Sequence, residues 1–247
     1  AEGKEIMDRA EIVDMVLGPQ VYHRLPDIIQ RVQDGEKVVD TDFPPEDKFE
    51  KLGQNRHKKK SASSFLTVQE GCDKFCSFCV VPYTRGAEVS RNPEVIIKEA
   101  NDLVASGVKE ITLLGQNVNA YLAKNKTGLD LGLADLIKKI CGISDLKRLR
   151  FITSHPRDMT NNLIDLFGEE EKLMPYLHLP IQSGSDKILK RMNRGHTVKY
   201  YIETIDRLRK IRPDVAISGD FIVGFPGETA DDFAFTLDLL REIKYAQ

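Results

Sequence analysis

The 247-residue chain contains no apolar run approaching the ~20 residues that a helix needs to cross a bilayer, which excludes a membrane-spanning helix. It also lacks a dominant charge: the formal net charge is −2, so nothing global draws it to nucleic acid, and any such contact has to be local. Cysteine is scarce. Four cysteines with no secretory leader before them do not make a disulfide framework, and they fit a reducing compartment, so a cytoplasmic location is expected. The motifs G-x-x-x-x-G-K-S/T, H-E-x-x-H and G-x-S-x-G are absent, which removes the usual support for P-loop, zincin and hydrolase chemistry. Hydrophobic residues at 41% and charged residues at 30% describe an ordinary globular chain, long enough for one large α/β domain or two small ones. The sequence starts "AEGKEIMDRA" without an initiator methionine and stops directly after a helical pattern, so a fragment of a longer protein is expected.

Three of the four cysteines stand in one short stretch, "GCDKFCSFCVVPYTRG". Cys72, Cys76 and Cys79 are separated by three residues and then two, which supplies three thiolates to a single centre. Four would close a structural site, whereas three leave a coordination position for a substrate or cofactor. Zinc remains an alternative, because Cys3His sites exist, but there is no second C-x2-C pair and no H-x3-5-H pair. Cys141, near a helix end and far from the triplet, reads as a small buried residue.

The first 51 residues read as helices around a short strand, "IVDMVLG" (12–18), followed by helical spacing of Val21, Leu25, Ile28, Ile29 and Val32. The polar stretch "TDFPPEDKFEKLGQNRHKKKSASS" reads as a linker, with its "RHKKK" run (56–60) able to touch phosphates, and a domain boundary is placed near residue 62. A regular alternation follows. Strands are expected at 64–69, 110–114, 148–153, 176–181 and 216–224. Helices begin at Asn92-Pro93, cover 133–140 and 161–167 (capped by Thr160), then about 185–192 and 198–211, and a last one is capped by Thr229. Such α/β alternation implies a parallel sheet with right-handed crossovers, either an open doubly wound sheet or an incomplete barrel.

The strand ends carry "GQNVN" (Gly115–Asn119), "TSHP" (Thr153–Pro156), "PIQSGS" (Pro180–Ser185) and "GFPGET" (Gly224–Thr229), besides the cysteine loop. In a barrel all five would meet on one face, bringing Gln116, Asn117, Ser154, Gln182 and Ser183 to the metal loop. His155 is a candidate general base, and His178, inside a strand, a hydrogen-bonded core residue.

The cysteine spacing, with aromatic Phe78 before the last cysteine, resembles the radical S-adenosylmethionine (SAM) signature. "GCDKFCSFCVVPYTRGAEVSR", "LLGQNVNAY", "TSHP", "LHLPIQSGSD" and "DFIVGFPGET" resemble the methylthiotransferase branch over most of 63–247, and "VDMVLGPQVYHRLPDII" resembles the tail of that branch's N-terminal domain. The resemblance implies an α/β fold with a partial (β/α)6 TIM-like barrel at 63–247, its sixth strand just beyond Gln247, preceded at 1–62 by the C-terminal part of a small α/β domain. It also implies a [4Fe-4S] cluster on Cys72, Cys76 and Cys79 that binds SAM at the fourth iron. Phe78 would lie near the adenine. Gly115, Gln116 and Asn117 stand where a Gly-rich turn receives the methionine amino group, although the usual glycine–glycine–glutamate form is not present. Ser154 and Gln182 would be ribose or carboxylate contacts.

The chemistry implied is cleavage of SAM to a 5′-deoxyadenosyl radical and methylthiolation of carbon 2 of isopentenyl-adenosine beside a tRNA anticodon. A flavodoxin- or ferredoxin-type electron donor and a monomeric state are expected. Members acting on a ribosomal-protein aspartate or on threonylcarbamoyl-adenosine tRNA are the alternatives within the family. A zinc-stabilised RNA-binding module is the alternative outside it. No cysteine precedes Cys72, so the family's second, auxiliary [4Fe-4S] cluster and its RNA-binding TRAM domain would belong to the full-length protein only.

Overall fold

A computed structural model describes residues 3–42 and 61–247. The linker's central part, including 56–60, lies outside the described residues. The N-terminal segment contains α1 (Gly3–Arg9), β1 (Met15–Leu17), α2 (Leu25–Gln33) and β2 (Val38–Asp40). Strands β1 and β2 pair in parallel and both pack on α1. The expected helix from Val21 is divided: residues 19–24 form a 3-10 turn, and α2 starts only where Pro26 can occupy its first turn.

The larger unit runs β3 (Ser63–Thr67), β4 (Gln69–Glu70), α3 (Val81–Arg85), β5 (Val89–Ser90), α4 (Pro93–Ala105), β6 (Glu110–Leu114), β7 (Leu122–Lys124), β8 (Asp130–Gly132), α5 (Leu133–Cys141), β9 (Arg148–Phe151), α6 (Asn161–Glu169), β10 (Tyr176–His178), α7 (Asp186–Arg191), α8 (Val198–Ile211), β11 (Ala216–Ser218) and α9 (Ala230–Ile243). Pairing is parallel in chain order, β3-β6-β9, then β10-β11, with a parallel bridge from Leu149 in β9 to Leu173 just before β10. A doubly wound sheet reverses its strand order at a switch point, and this one does not, so the partial barrel is the architecture. After α9 the chain returns beside β11, where Ala246 N donates to Ile217 O (2.8 Å) and Gly219 N to Gln247 O (3.1 Å).

Each main strand has two unlike faces. Ile111, Leu113, Leu149 and Phe151 are buried in the core shared with Ile96, Ala100 and Leu103 of α4 and with Leu163 and Phe167 of α6. Fully burying a side chain of this size contributes about 1.5–3 kcal/mol. The opposite face is polar: Glu110 accepts from Arg148 Nε (2.5 Å) and Arg150 Nε (3.1 Å). Helix starts follow the sequence signals, since Asn92 Oδ1 accepts from Glu94 N and Val95 N, and Thr229 and Asp232 form a capping box. Thr160 differs. It occupies the cap position of α6, but its hydroxyl donates to Asn162 Oδ1 instead of accepting from the backbone.

β6 matches the expected 110–114, whereas the other main strands end earlier than the apolar runs suggested. Leu179 and Ile181 are fully buried yet lie beyond β10, where the parallel pairing is interrupted and resumes as a single bridge between Gln182 and Phe221. The small antiparallel pairs β4-β5 and β7-β8 and the helix α3 were not anticipated.

Candidate functional site

The cysteine loop leaves β4 and is tied down on both sides. Gln69, fully buried at the strand end, is the first brace. Its Oε1 accepts from Gln116 N (2.9 Å) and Asn117 N (3.0 Å), and its Nε2 donates to Gly71 O (2.6 Å). Gln116 Oε1 answers by accepting from Gly71 N at 2.7 Å. The turn at Gly115 presses so closely on this brace that a Cβ there would stand 2.5 Å from Gln69 Oε1 and 2.9 Å from Gln69 O, so only glycine fits. Gln116 therefore spends its carbonyl on the protein's own backbone.

Asp158 joins three loops. Its Oδ1 accepts from Lys74 Nζ (2.8 Å), within the cysteine loop, and its Oδ2 from Asn117 Nδ2 (2.7 Å). Asn119 clamps the third loop, donating to His155 O (2.9 Å) and accepting from His155 N (2.8 Å). The turn after α7 completes the frame. Ser77 N donates to Met192 O (3.0 Å), Ser77 Oγ to Arg191 O (3.0 Å), Asn193 Nδ2 to Phe75 O (2.9 Å), and Arg194 Nη1 to Cys76 Sγ (3.4 Å). The fourth and fifth loops are locked to each other, because Ser185 Oγ and Lys187 Nζ donate to Asp232 at 2.7 and 2.8 Å.

Strain collects here. Among the described residues five non-glycine residues have a positive φ, and Phe75 (49°), Thr153 (68°), Gln182 (84°) and Asn193 (57°) all border this region. For β-branched Thr153 that conformation is costly, and such positions cluster where surrounding structure is held for function.

The electrostatics are those of a crowded, half-dry site. Burial raises the Cys72 thiol, against a lowering backbone hydrogen bond at Lys74, and Glu88 and then Cys76 and Cys79 add to the rise. Glu88 is pushed up to about 7, first by burial and then by Asp158 and Asp73 against the opposing pull of Lys74. His155 is 5% exposed, and its pKa is held far below the usual value by burial and by Arg194. Its Nδ1 accepts from Arg157 N (3.2 Å), which leaves Nε2 to carry the proton of the neutral ring. The accepting Nδ1 leaves His155 a hydrogen-bond donor through Nε2, which has no partner among the described residues. His196, pushed down to about 4 by burial and Arg194, stacks edge-on to it at 5.7 Å.

Several buried polar atoms around the triplet have no hydrogen-bond partner among the described residues: Asn117 Oδ1, Ser154 Oγ, His155 Nε2 and Arg194 Nε. Unsatisfied groups in such number mark a place built to meet a polar ligand. Three thiols beside unpaired donors and acceptors fit a cluster that binds a polar cofactor. Among the described residues no three histidine, cysteine or acidic side chains, the three cysteines included, stand close enough together as they are to hold a single metal ion.

Of the residues singled out from the sequence, Cys72, Cys76, Cys79, Asn117, Ser154 and His155 lie in this connected region. Gly115 and Gln116 support it as architecture. Phe78 is 39% exposed on its rim. Gln182 is buried, with its backbone bonded to Asp220 O and Ile222 N. His178 makes the expected hydrogen bond, with Nδ1 2.6 Å from Ser218 Oγ, but it is half-buried at the strand end and not a core residue. Gln69, Glu88, Asp158 and Arg194 were missed. Glu88 and Asp158 sit inside or beside loops already flagged, whereas nothing local marks Arg194.

Comparison with known proteins agrees with this geometry. The Radical SAM superfamily model matches residues 66–240. The chain is 62% identical over 245 residues to a tRNA-2-methylthio-N(6)-dimethylallyladenosine synthase of Ruegeria sp. (strain TM1040) and 59% identical to that of Roseobacter denitrificans, in each case over 99% of this chain and 56% of the relative. It thus spans about half the length of the curated relatives it matches. Among solved structures, the cobalamin-dependent SAM radical enzyme OxsB aligns over 71% of this chain and 26% of its own, at TM-score 0.56 and 17% identity. The radical SAM methyltransferase TsrM from Kitasatospora setae aligns over 74% and 35%, at TM-score 0.58 and 16% identity. These two likenesses speak for the fold alone. With the family match covering the barrel and every loop that frames the cysteine triplet, the chain belongs to the radical SAM superfamily.

Proposed function

We propose that this chain is the catalytic core of a tRNA methylthiotransferase that acts on carbon 2 of isopentenyl-adenosine beside the anticodon. The observation that carries this reading is the 62% identity over 245 residues to a relative named for that modification. The family match at 66–240 supports a core at 63–247, with residues 1–62 belonging to a preceding domain.

Cys72, Cys76 and Cys79 would hold a [4Fe-4S] cluster, and the three-thiolate set leaves a position for SAM. When bound, that pair supplies the one-electron chemistry needed to take hydrogen from an aromatic C–H bond that no acid–base group can activate. The chain's own residues bind and orient. Gly115 lets the backbone turn approach closely, Asn117 Oδ1 offers an acceptor for an amino group, and Ser154 Oγ and His155 Nε2–H offer hydrogen bonds to ribose or carboxylate oxygens. Phe78 offers a flat apolar surface at the rim. Burial of Cys76, at 8% exposure, keeps water from part of the centre. Sulfur delivery through an auxiliary cluster, an electron donor of flavodoxin or ferredoxin type, and grip on tRNA by a TRAM domain are assigned to the whole protein.

The test is to incubate the full-length protein with SAM, reductant and isopentenylated tRNA, digest the RNA and identify nucleosides by mass. A methylthio group on the modified adenosine is expected. Activity only on threonylcarbamoyl-adenosine tRNA or on a ribosomal-protein aspartate would move the substrate to another branch.

A further inference from the structure

Arg194 lies outside every strand-end loop that the sequence singles out, yet it touches the centre directly. It is 5% exposed. Its Nη1 donates to Cys76 Sγ (3.4 Å), its Nη2 donates to Pro180 O (2.5 Å) at the end of the fourth strand, and its Nε has no partner. Among the described residues no carboxylate forms an ion pair with it. A buried guanidinium without a counter-anion is expensive, and the cysteine sulfur that Arg194 touches is that of Cys76.

We propose that Arg194 is a positioning residue that tunes the electron affinity of the group bound at Cys72, Cys76 and Cys79. The inference rests on the cluster reading above. Adding one electron from a reductant makes the centre more negative by one charge without making or breaking a bond. An N–H···S bond and a positive charge in a dry site stabilise that reduced state more than the oxidised one, and both are established determinants of cluster potential. Arg194 should thus raise the potential and ease reduction. The neighbouring strap, Asn193 Nδ2 to Lys74 O and Phe75 O, performs the mechanical part by holding the loop itself.

The experiment is an EPR-monitored dithionite titration of the full-length, reconstituted protein, following the cluster whose signal changes when SAM is added. Wild type is compared with R194Q, R194K and N193G, the last keeping a residue that tolerates the positive φ at 193 while removing the strap's side chain. A shift to more negative potential in R194Q, a smaller one in R194K and none in N193G would support the assignment. An unchanged potential in R194Q would overturn it. If R194Q takes up no cluster, R194K decides by the same criterion, and loss of the cluster from both arginine variants would reduce Arg194 to a structural strut and overturn the proposal. A wild-type protein that takes up no SAM-sensitive cluster would instead sink the functional reading beneath it.

Discussion

Replacing Gln69 with leucine, nearly equal in volume, probes how the cysteine loop is held. Gln69 is fully buried and makes three hydrogen bonds to main-chain groups, at 2.6, 2.9 and 3.0 Å. The leucine would leave Gly71 O, Gln116 N and Asn117 N to find new partners around a fully buried position. An unsatisfied buried group costs about 1–3 kcal/mol, and partial relaxation brings the sum for three to about 3–6 kcal/mol. Against a typical total of about 5–15 kcal/mol that is a severe loss. Urea unfolding of the cluster-free chain, followed by circular dichroism, should show a much lower midpoint at unchanged slope. A loss under ~1 kcal/mol would refute the view that this carboxamide is the brace.

Gly115→Ala should fail by the same route, because its Cβ would meet Gln69 Oε1 at 2.5 Å. Because Gln69 O, 2.9 Å from the added Cβ, remains in Q69L, the double mutant should lose less than the sum of the two single losses, and full additivity would show that the two act separately. Glu88 gives a pH signature. Its carboxyl is raised from 4.5 to about 7, so the folded state holds the proton more tightly than the unfolded one. That contribution is fully present below pH 4.5 and is lost as pH rises through about 7. Glu88→Gln does not titrate, so its melting temperature relative to wild type should climb across that window and level off above it. A difference independent of pH would contradict the assigned cause.

The sequence made the cysteine triplet legible because Cys72, Cys76 and Cys79 lie within eight consecutive positions of one loop. The alternation of elements was legible for a similar reason: helix caps such as Asn92 and Thr229 and apolar faces such as Ile96, Ala100 and Leu103 are local features. Strand ends were harder to read. Hydrophobic runs through Leu179 and Ile181 record burial, and burial does not show where a ladder is interrupted before its last bridge at Gln182. The supporting shell was illegible. Arg194 meets Cys76 across 118 positions, and Gln69 meets Asn117 across 48, so neither contact leaves a periodic or motif signal. His155 looked like a base because its type suits one. Only the fold shows that Arg157 N already occupies the lone pair on Nδ1.

The most direct test of the central claim is anaerobic reconstitution of the full-length protein with iron and sulfide, followed by reduction with SAM and assay for 5′-deoxyadenosine. The account predicts product from the wild-type protein and none when Cys76 is changed to alanine. Stoichiometric zinc without a cluster, or 5′-deoxyadenosine formed equally well by the Cys76→Ala variant, would contradict it.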